Sequence, residues 1–511
     1  MAAALPKDAV VVVVGAGAMG AGIAQVAAAA GHAVRLFDTR PDAAAAACAA
    51  LAKTFDTLVA KGKLDRATAA AAAARITPAH ALADCGSARL VVEAIVEDLA
   101  AKRALFHELE GIVAADAMLA TNTSSLSVTA LAAGMKAPGR VAGMHFFNPA
   151  PVLPLVEIVS GLATREDVAA TLHATATAWG KAPVRATSTP GFIVNRCARP
   201  FYAEAWRLLA ERAAPAAAID AVMRDTGGFR MGPFELMDLI GHDVNFAVTS
   251  SVWEAYHYDG RYTPSVLQRE LVDAGFLGRK RSRGVYDYAE GAPRAVAADV
   301  PQQPQPARAI VRGDPGLAAP LVERLAKAGV AIDRAKVYPG FPDGTLDIEG
   351  TLLALTDGRT ATARAAAAGT PDVVVFDLAL DFGQCPRLAV APADGCSAAG
   401  WSRAAGALQA AGVAVVRFDD AAGLAVMRTV AMLANEAADA VTQGIASAAD
   451  VDVAMQRGVN YPRGPLAWAD AIGIARVRET LVNLAAHYGE PRYRLSPLIA
   501  RRTAGARPLA D

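Results

Sequence analysis

The sequence has no net charge, and it has no long uninterrupted apolar run. Lysine plus arginine and aspartate plus glutamate number 50 each, which argues against nucleic acid or an anionic membrane surface as the main partner. No apolar run approaches the length that a bilayer requires without polar interruptions, so we expect no helix that spans a membrane. Lys7 and Asp8 lead directly into a predicted strand, which argues against a signal peptide.

Cysteine is also scarce. The chain has five cysteines, an odd number without C-x-x-C spacing, at Cys48, Cys85, Cys197, Cys385 and Cys396. This pattern supports neither a disulfide framework nor a zinc site, so we expect no metal and a reducing cytoplasmic location. At 511 residues the chain is too long for a single core, and three or four domains are expected.

Residues 9–38 predict the first strand, turn and helix of a dinucleotide-binding fold. Five consecutive valines, Val10–Val14, suit a strand that is buried on both faces of a parallel sheet. A helix-favouring run, Ala21–Ala30, follows and stops at a glycine. Between strand and helix lies the motif G-x-G-x-x-G, formed by Gly15, Gly17 and Gly20. These glycines would make the tight turn, admit a pyrophosphate and let the helix pack closely on the strand.

An acidic residue ends the second predicted strand. Asp38 follows Ala33–Phe37, where a carboxylate can accept hydrogen bonds from the adenosine ribose and repel the extra phosphate of NADP. We therefore predict NAD as the cofactor, although Arg40 nearby is a cation that could meet that phosphate. The alternative is that the glycines only form a turn, but the strand, the helix and the acidic residue all fit a dinucleotide-binding motif here.

Two further stretches carry candidate catalytic chemistry. The polar cluster Thr121–Ser125 follows a predicted strand, where ligands bind in open parallel sheets, although such a cluster also suits a turn or an N-cap. His145 follows an apolar segment, and Glu157 lies in an apolar strand where an acid needs a partner. Paired, the two would form a general base held by a carboxylate. A histidine satisfied in the core is the alternative.

The pattern along the chain predicts four domains and a linker. An α/β Rossmann-type dinucleotide-binding domain comes first, followed by an all-α domain, a small α/β domain without a glycine fingerprint, and a second copy of the all-α domain. The Pro/Gln-rich linker cannot build a core. The predicted bounds are 1–188, 189–290, 291–306 for the linker, 307–422 and 423–511.

The two helical stretches match in a single fixed register along the sequence. The matching positions include Glu204 and Glu436, Asp220 and Asp452, Gly232-Pro233 and Gly464-Pro465, Asp238 and Asp470, and Gly241 and Gly473. In this repeat register Asn195 falls on Met427, and a thioether cannot replace the amide donors and carbonyl of asparagine. We therefore predict a duplication whose second copy is catalytically silent.

Taken together, the motifs resemble those of the 3-hydroxyacyl-CoA dehydrogenases. The matching segments are GAGAMGAGIAQ, VEAIVEDLAAKRALF, TNTSSLSVT, HFFNPAP, TPGFIVNR and MGPFELMDLIG. The match covers Val10 to about Tyr288. Total length and the tandem C-terminal copy look like the bacterial branch associated with phenylacetate breakdown, whose proposed substrate is 3-hydroxyadipyl-CoA. The resemblance implies NAD-dependent oxidation of that thioester or of a short-chain one such as 3-hydroxybutyryl-CoA.

The resemblance also assigns roles to residues. His145 would be the general base, Glu157 its partner, and Ser124 and Asn195 the groups that hold the substrate. The implied cofactor contacts are Gly15, Gly17, Ala18, Met19, Gly20, Asp38, Glu97, Lys102, Asn148 and Lys280. The implied coenzyme A contacts are Thr54, Lys61 and Ser124. Lys280 is the weakest of these transfers, because the glycine that usually follows this lysine in the family is absent.

Alternative functions and assemblies stay open on the sequence alone. Related folds oxidise 3-hydroxy acids without coenzyme A, and a nucleotide-binding protein without catalysis would share the first motif. The repeat predicts that the two helical copies pack on each other within one chain, as in a dimer interface of the family, and a homodimer is a further assembly to test. Several arginines are candidates for binding a dicarboxylic acyl chain, and the sequence does not rank them; they include Arg196, Arg199 and Arg230.

Overall fold

The computed structural model describes residues 3–337 and 344–510. Contacts divide the chain into two compact units. Unit 1 is Met1–Arg196 with Gln443–Val459, and unit 2 is Cys197–Thr442 with Asn460–Asp511. In the part of the chain that the structure describes, each unit contains one β-sheet.

The sheet of unit 1 has eight strands: β1 (Val10–Val14), β2 (Val34–Phe37), β3 (Ile76–Pro78), β4 (Ala88–Glu93), β5 (Met118–Thr121), β6 (Val141–Phe146), β7 (Leu155–Ser160) and β8 (Ala182–Thr187). Within the described residues, the sheet of unit 2 has seven strands: β9 (Arg308–Arg312), β10 (Ala331–Ala335), β11 (Thr345–Ile348), β12 (Thr351–Leu355), β13 (Val373–Phe376), β14 (Arg387–Pro392) and β15 (Ala414–Arg417).

The helices alternate with the strands in the α/β parts and then run consecutively. The first ten are α1 (Ala18–Ala29), α2 (Ala43–Ala60), α3 (Arg66–Ala74), α4 (Leu99–Ile112), α5 (Val128–Ala132), α6 (Glu166–Ala178), α7 (Val194–Cys197), α8 (Arg199–Ala210), α9 (Ala216–Asp225) and α10 (Pro233–Ile240). The others are α11 (His242–Ala255), α12 (Val266–Asp273), α13 (Ala319–Lys327), α14 (Ala361–Ala368), α15 (Ala398–Ala410), α16 (Val426–Thr442), α17 (Ala448–Gly458), α18 (Pro465–Ile472), α19 (Ile474–Tyr488) and α20 (Pro497–Ala504).

The sheet of unit 1 is a doubly wound parallel sheet with two reversed strands at one end. Its strand order is β3-β2-β1-β4-β5-β6-β7-β8, and β1 to β6 are parallel. Strand β7 runs antiparallel to β6, which places His145 directly opposite Glu157 in the register. The valines of β1 are almost entirely buried, as a strand covered on both faces requires.

Two helices follow β2 in the structure, with a break between them. Helix α2 ends at Ala60, and Gly62 then adopts a φ of +65°, which favours glycine. The side chain of Asp65 accepts a hydrogen bond from the Thr68 N–H and caps α3.

Helix α2 is the one helix in the described residues that is long and apolar enough to cross a membrane by length and composition, with a mean hydropathy of 1.4. In the structure it packs on α3. Leu51 and Phe55 are buried in the core of unit 1, whereas Lys53 and Asp56 are exposed.

Part of the second helical copy belongs to unit 1. Helix α17 packs on β7 and β8, and the Thr187 N–H donates to the Ile445 carbonyl at 2.9 Å. At Gly458 a Cβ would lie 2.5 Å from a methyl group of Leu155, so the absence of a side chain permits this close packing. The predicted bound at residue 423 follows the sequence repeat, whereas the compact units follow spatial contact.

The sheet of unit 2 repeats half of the sheet of unit 1. Strands β12 to β15 have the order and relative orientations of β5 to β8: parallel, then antiparallel, then parallel. The sequence offset that aligns the two helical copies also aligns these strands. Met144 and Ile158 lie opposite each other in the first sheet, and the corresponding residues Phe376 and Val390 lie opposite each other in the second. The duplication therefore begins before the helical domain.

The two helical copies pack on each other within unit 2 through α8 and α16, as the repeat predicts. Glu204 of the first copy accepts from Arg428 of the second at 2.7 Å, and Glu436 of the second accepts from Arg261 of the first at 3.1 Å. These four side chains are almost fully buried. Removing one partner would leave a buried charge unpaired, which is strongly destabilising.

The predicted linker has no regular secondary structure, but it is packed. The Gln303 N–H donates to the Gln409 side chain at 2.7 Å, and the Pro304 carbonyl lies where a Cβ of Gly406 would be. The segment is thus held along α15.

Candidate active site

The three motif glycines lie at the turn between β1 and α1, and each has a different backbone environment. Gly15 has a φ of +105° and closes the turn after β1. A Cβ on Gly20 would collide with the Gly15 carbonyl, so only glycine lets α1 approach the turn. A Cβ on Gly17 would meet nothing within 4 Å. Gly17 therefore leaves open space at the N-terminus of α1, where N–H groups favour a phosphate.

A cavity of about 700 Å³ lies beside this turn and contains Asp38. The Asp38 carboxylate accepts from the Ala16 N–H at 2.8 Å and from the Arg40 guanidinium at 3.0 Å. The Arg40 side chain lowers the pKa of Asp38 to about 2. The carboxylate is thus ionised at neutral pH and can accept hydrogen bonds from ribose hydroxyls. The exposed side chain of Arg40 lies over this carboxylate.

His145 and Glu157 form the predicted pair. The His145 Nδ1 lies 2.6 Å from Glu157 Oε2, and both side chains are buried. Phe147 and Phe192 pack against the imidazole, with ring centroids 4.4 and 5.9 Å away. Because the carboxylate holds a proton on Nδ1, the Nε2 atom keeps its lone pair and can act as a base.

Glu157 also anchors the backbone that leads to Asn195. Its Oε1 atom accepts from the N–H groups of Ile193 and Val194, both at 3.0 Å. The Asn195 amide donates to the Ser124 carbonyl at 3.3 Å. One carboxylate thus fixes the imidazole and the turn that carries Asn195, and these contacts bring all four predicted catalytic residues together.

Glu97 organises the polar cluster after β5. Its Oε1 atom accepts from the Thr123 hydroxyl at 2.6 Å and from the Ser124 and Ser125 N–H groups at 3.0 and 3.2 Å. Burial acts to raise the pKa of Glu97, but the Thr123 hydroxyl and Lys102 hold it below its ordinary value. The predicted residues Glu97 and Lys102 are therefore one connected group with Ser124.

Glu93 is a site residue that the sequence reasoning missed. It is fully buried at the end of β4 and binds Lys102. It also accepts from the Thr121 hydroxyl and the Ile95 N–H, both at 2.7 Å. An acid that ends an apolar strand was the available signal, as with Glu157, and Glu93 positions the lysine and the start of the polar cluster.

The other predicted contacts lie in separate places. Ala18 and Met19 open α1, and Asn148 is exposed after β6. Thr54 and Lys61 are exposed and lie two helical turns apart, on one face of α2 and its C-cap. Lys280 belongs to unit 2, where it pairs with Asp243 at 2.6 Å. The roles proposed for these residues stay predictions.

The second half of the chain lacks the corresponding catalytic groups. In the repeat register, His145 corresponds to Asp377, Glu157 to Ala389 and Asn195 to Met427. The fully buried Asp377 accepts from the N–H groups of Ala425, Val426 and Met427 at 2.7–2.9 Å. These hydrogen bonds connect β13 to the start of α16. The second half therefore has a structural carboxylate where the first half has the His145 imidazole.

Known protein domain families match most of the chain. The family described as 3-hydroxyacyl-CoA dehydrogenase, NAD binding domain, matches residues 10–189. The corresponding C-terminal domain matches twice, at residues 191–288 and 423–507. The chain belongs to the 3-hydroxyacyl-CoA dehydrogenase family. In this dehydrogenase, residues 353–421 match a domain described as the 3-hydroxybutyryl-CoA dehydrogenase reduced Rossmann-fold domain, which agrees with the shortened sheet of unit 2.

Relatives of this dehydrogenase fall into full-length and half-length groups. It is 44% identical to 3-hydroxyadipyl-CoA dehydrogenase of Escherichia coli over 96% of this chain and 97% of the relative. It is 42% identical to a probable 3-hydroxybutyryl-CoA dehydrogenase of Bacillus subtilis over 55% of this chain and 97% of the relative. A crystal structure titled 3-hydroxybutyryl-CoA dehydrogenase from E. coli K12 matches with a TM-score of 0.89 and 42% identity, covering 98% of this chain and 99% of that one.

These matches establish the reaction class. This dehydrogenase is an NAD-dependent oxidoreductase that acts on 3-hydroxyacyl-CoA. Its predicted fold class and cofactor are confirmed. Asp38 and the open approach at Gly17 fit NAD, because together they offer an acceptor for the ribose and space for the pyrophosphate.

Proposed function

We propose that this enzyme oxidises 3-hydroxyadipyl-CoA to the 3-oxo thioester, with the catalytic residues of the first copy alone. The observation that carries the catalytic assignment is the buried contact between His145 and Glu157. The substrate assignment is supported by the E. coli relative of that name, which this chain matches over nearly its whole length. 3-Hydroxybutyryl-CoA is the second candidate, because the half-length relatives carry that name.

In this proposal each residue has one task. The His145 Nε2 atom accepts the proton of the C3 hydroxyl, and Glu157 stabilises the imidazolium that results. Ser124 and Asn195 donate hydrogen bonds to the reacting oxygen and fix its position. Bound NAD supplies the hydride acceptor. The glycine turn, Asp38, Glu97, Lys102, Asn148 and Lys280 would bind or position the cofactor.

A substrate panel tests the proposal. We expect the purified full-length enzyme to reduce NAD with a higher kcat/KM for 3-hydroxyadipyl-CoA than for 3-hydroxybutyryl-CoA, measured by NADH absorbance. A preference for the butyryl thioester would support the second candidate. Oxidation of free 3-hydroxy acids at equal efficiency would show that coenzyme A contributes no binding energy.

Lys61 tests the coenzyme A contact directly. Lys61→Ala should raise KM for the thioester by about 10-fold with little change in kcat, because a cation on a phosphate binds ground state and transition state equally. The matched control is Lys63→Ala, at a neighbouring position that is also exposed. If both variants keep the wild-type KM, the predicted coenzyme A role of Lys61 is wrong.

Location and assembly are also proposals. We propose that the enzyme works in the cytoplasm with its thioester substrate and without nucleic acid or membrane as a partner. The balanced charge of the chain supports this view. The packing of α8 on α16 is consistent with one chain that imitates a dimer interface of the family. A homodimer of such chains is the further assembly that a solution mass would detect.

A further inference from the structure

The side chain of Asn122, which follows β5, connects two strands of the sheet of unit 1. Strand β5 ends at Thr121, and Thr121 is paired with Gly143 of β6. Beyond this pair the Asn122 Oδ1 atom accepts a hydrogen bond from the Phe146 N–H at 2.8 Å. Since Phe146 directly follows His145, a side-chain oxygen continues the bonding between the strands at the residue next to the proposed base.

The backbone that carries Asn122 is held on both sides. The Asn122 N–H donates to the Glu93 carbonyl at 2.8 Å. The hydroxyl of the preceding residue, Thr121, donates to the Glu93 carboxylate at 2.7 Å, and that of the following residue, Thr123, donates to Glu97 at 2.6 Å. The amide therefore reaches β6 from an anchored backbone, as the precise positioning of a partner requires.

Both ends of this hydrogen bond are close in sequence to proposed catalytic residues. Phe146 is buried, and a buried N–H group needs an acceptor. His145 precedes it, and Phe147, whose ring centroid lies 4.4 Å from that of the imidazole, follows it. On the other strand, Ser124 lies two residues after Asn122. A change in this one contact would therefore move the imidazole relative to Ser124.

The second half of the chain has a different arrangement at this point. In the pairing of β12 with β13, the position of Asn122 is taken by Leu355, whose backbone pairs with β13 directly. The N–H of Leu378, which corresponds to Phe146 in the repeat register, donates to the side chain of Asp377 at 2.8 Å. The half that contains the buried imidazole and its carboxylate is therefore the half in which a side-chain amide makes this connection.

We infer that Asn122 is a positioning residue for the dehydrogenase reaction: its amide oxygen fixes His145, through the Phe146 N–H, at its distance from Ser124. The inference rests on the proposed function, since it requires His145 to be the base. A general base must lie within hydrogen-bond reach of the proton that it accepts. A misplacement of about 1 Å can lower the rate about 100-fold, so Asn122 affects turnover without touching the substrate.

The first test removes the acceptor and then restores it. Asn122→Leu introduces an apolar side chain of similar size, and in the full-length enzyme it should lower kcat about 10- to 100-fold while KM and the affinity for NAD change little. Asn122→Asp keeps an oxygen acceptor and should retain most of kcat. The matched control is Asn483→Leu in unit 2, which removes the hydrogen bond of another asparagine amide to the Asp357 carbonyl and should leave kcat unchanged. Turnover is measured by NADH absorbance with the better thioester of the substrate panel.

A second test separates positioning of the imidazole from a general structural effect. Asn122→Leu is combined with His145→Gln, and the residual kcat is compared with that of His145→Gln alone. If Asn122 acts through the imidazole, the added substitution should lower the residual kcat by less than about threefold, because no base remains to be misplaced. A purely structural role would produce the same loss in both backgrounds. If the leucine variant does not fold, Asn122→Ala removes the same acceptor and replaces it in both tests.

Each outcome separates this inference from the function on which it rests. If His145→Gln keeps the wild-type kcat, the proposed base is wrong and this inference fails with it. If His145→Gln is impaired and Asn122→Leu keeps the wild-type kcat, the base stands and the role of Asn122 is overturned. Equal losses in the two backgrounds, or in the leucine and aspartate variants, would also overturn it.

Discussion

Replacing His145 by glutamine should lower kcat for 3-hydroxyacyl-CoA oxidation by about 10²- to 10⁴-fold, the usual contribution of a general base. The glutamine side chain can still contact Glu157, but it has no nitrogen lone pair to accept the hydroxyl proton. The affinity for NAD should change little, because the glycine turn and Asp38 lie on other strands of the sheet. Turnover is measured by NADH absorbance and cofactor affinity by titration of the protein with NAD.

A matched variant separates chemistry from folding. His80→Gln makes the same substitution at an exposed loop position, and its kcat should equal that of wild type. If His145→Gln retains more than a tenth of the wild-type kcat, His145 is not the base. A parallel loss of NAD affinity would indicate that the substitution disturbs the sheet.

Glu157→Gln should lower kcat by a similar factor, on the order of 10²- to 10⁴-fold, while the fold is preserved. The glutamine carbonyl can still accept from Ile193 and Val194, as Glu157 Oε1 does at 3.0 Å. Its amide must then face the His145 Nδ1 as a donor. The imidazole would have to carry its proton on Nε2, the atom proposed as the base, so the tautomer would be wrong for that role.

Glu157→Ala provides the comparison. It removes the acceptor of two buried N–H groups, and each donor left unsatisfied costs about 1–3 kcal/mol. We therefore expect a clear drop in the free energy of unfolding for the alanine variant and a small one for the glutamine variant, measured by denaturant titration. Equal kcat values in wild type and Glu157→Gln would contradict the proposed tautomer control.

The sequence predicted the strands better than the ends of the helices. The valine run predicted β1 with its observed bounds. The position of Glu157 in an apolar strand predicted its contact with His145. Helix α1 begins at Ala18, before the predicted start at Ala21, because the last residues of the glycine motif already belong to the helix. A motif interpreted as a turn does not show where the helix that follows it begins.

Site residues were predictable from the sequence where a charged residue stands in an apolar segment. Their contacts with residues of other strands and helices were less predictable. Arg40 was noted as a cation near Asp38, but only the structure shows that its Nε and Nη2 atoms both donate to that carboxylate. Glu93 was missed because its partners, Lys102 and Thr121, follow in a helix and the next strand. Periodicity cannot predict such contacts, since they depend on how strands and helices pack.

The extent of the duplication was also hidden in the sequence. The helical copies share glycines, prolines and acids at fixed positions, so their repeat was visible. In the sheets that precede the helical copies, the residues at corresponding positions differ. Asp377 and Ala389 stand where the first half has His145 and Glu157, so the sequence does not reveal the repeat there. Strand order and register preserve the relation after the side chains have changed.

The change at Asp377 makes the two halves unequal in their tolerance of mutation. In the proposed mechanism His145 exchanges protons, so chemistry would limit the substitutions that the first half tolerates at this position. In the second half, Asp377 only has to accept hydrogen bonds from three backbone N–H groups, a task that asparagine can share in part. An active-site titration of pure enzyme should accordingly count one reactive centre for each 511-residue chain.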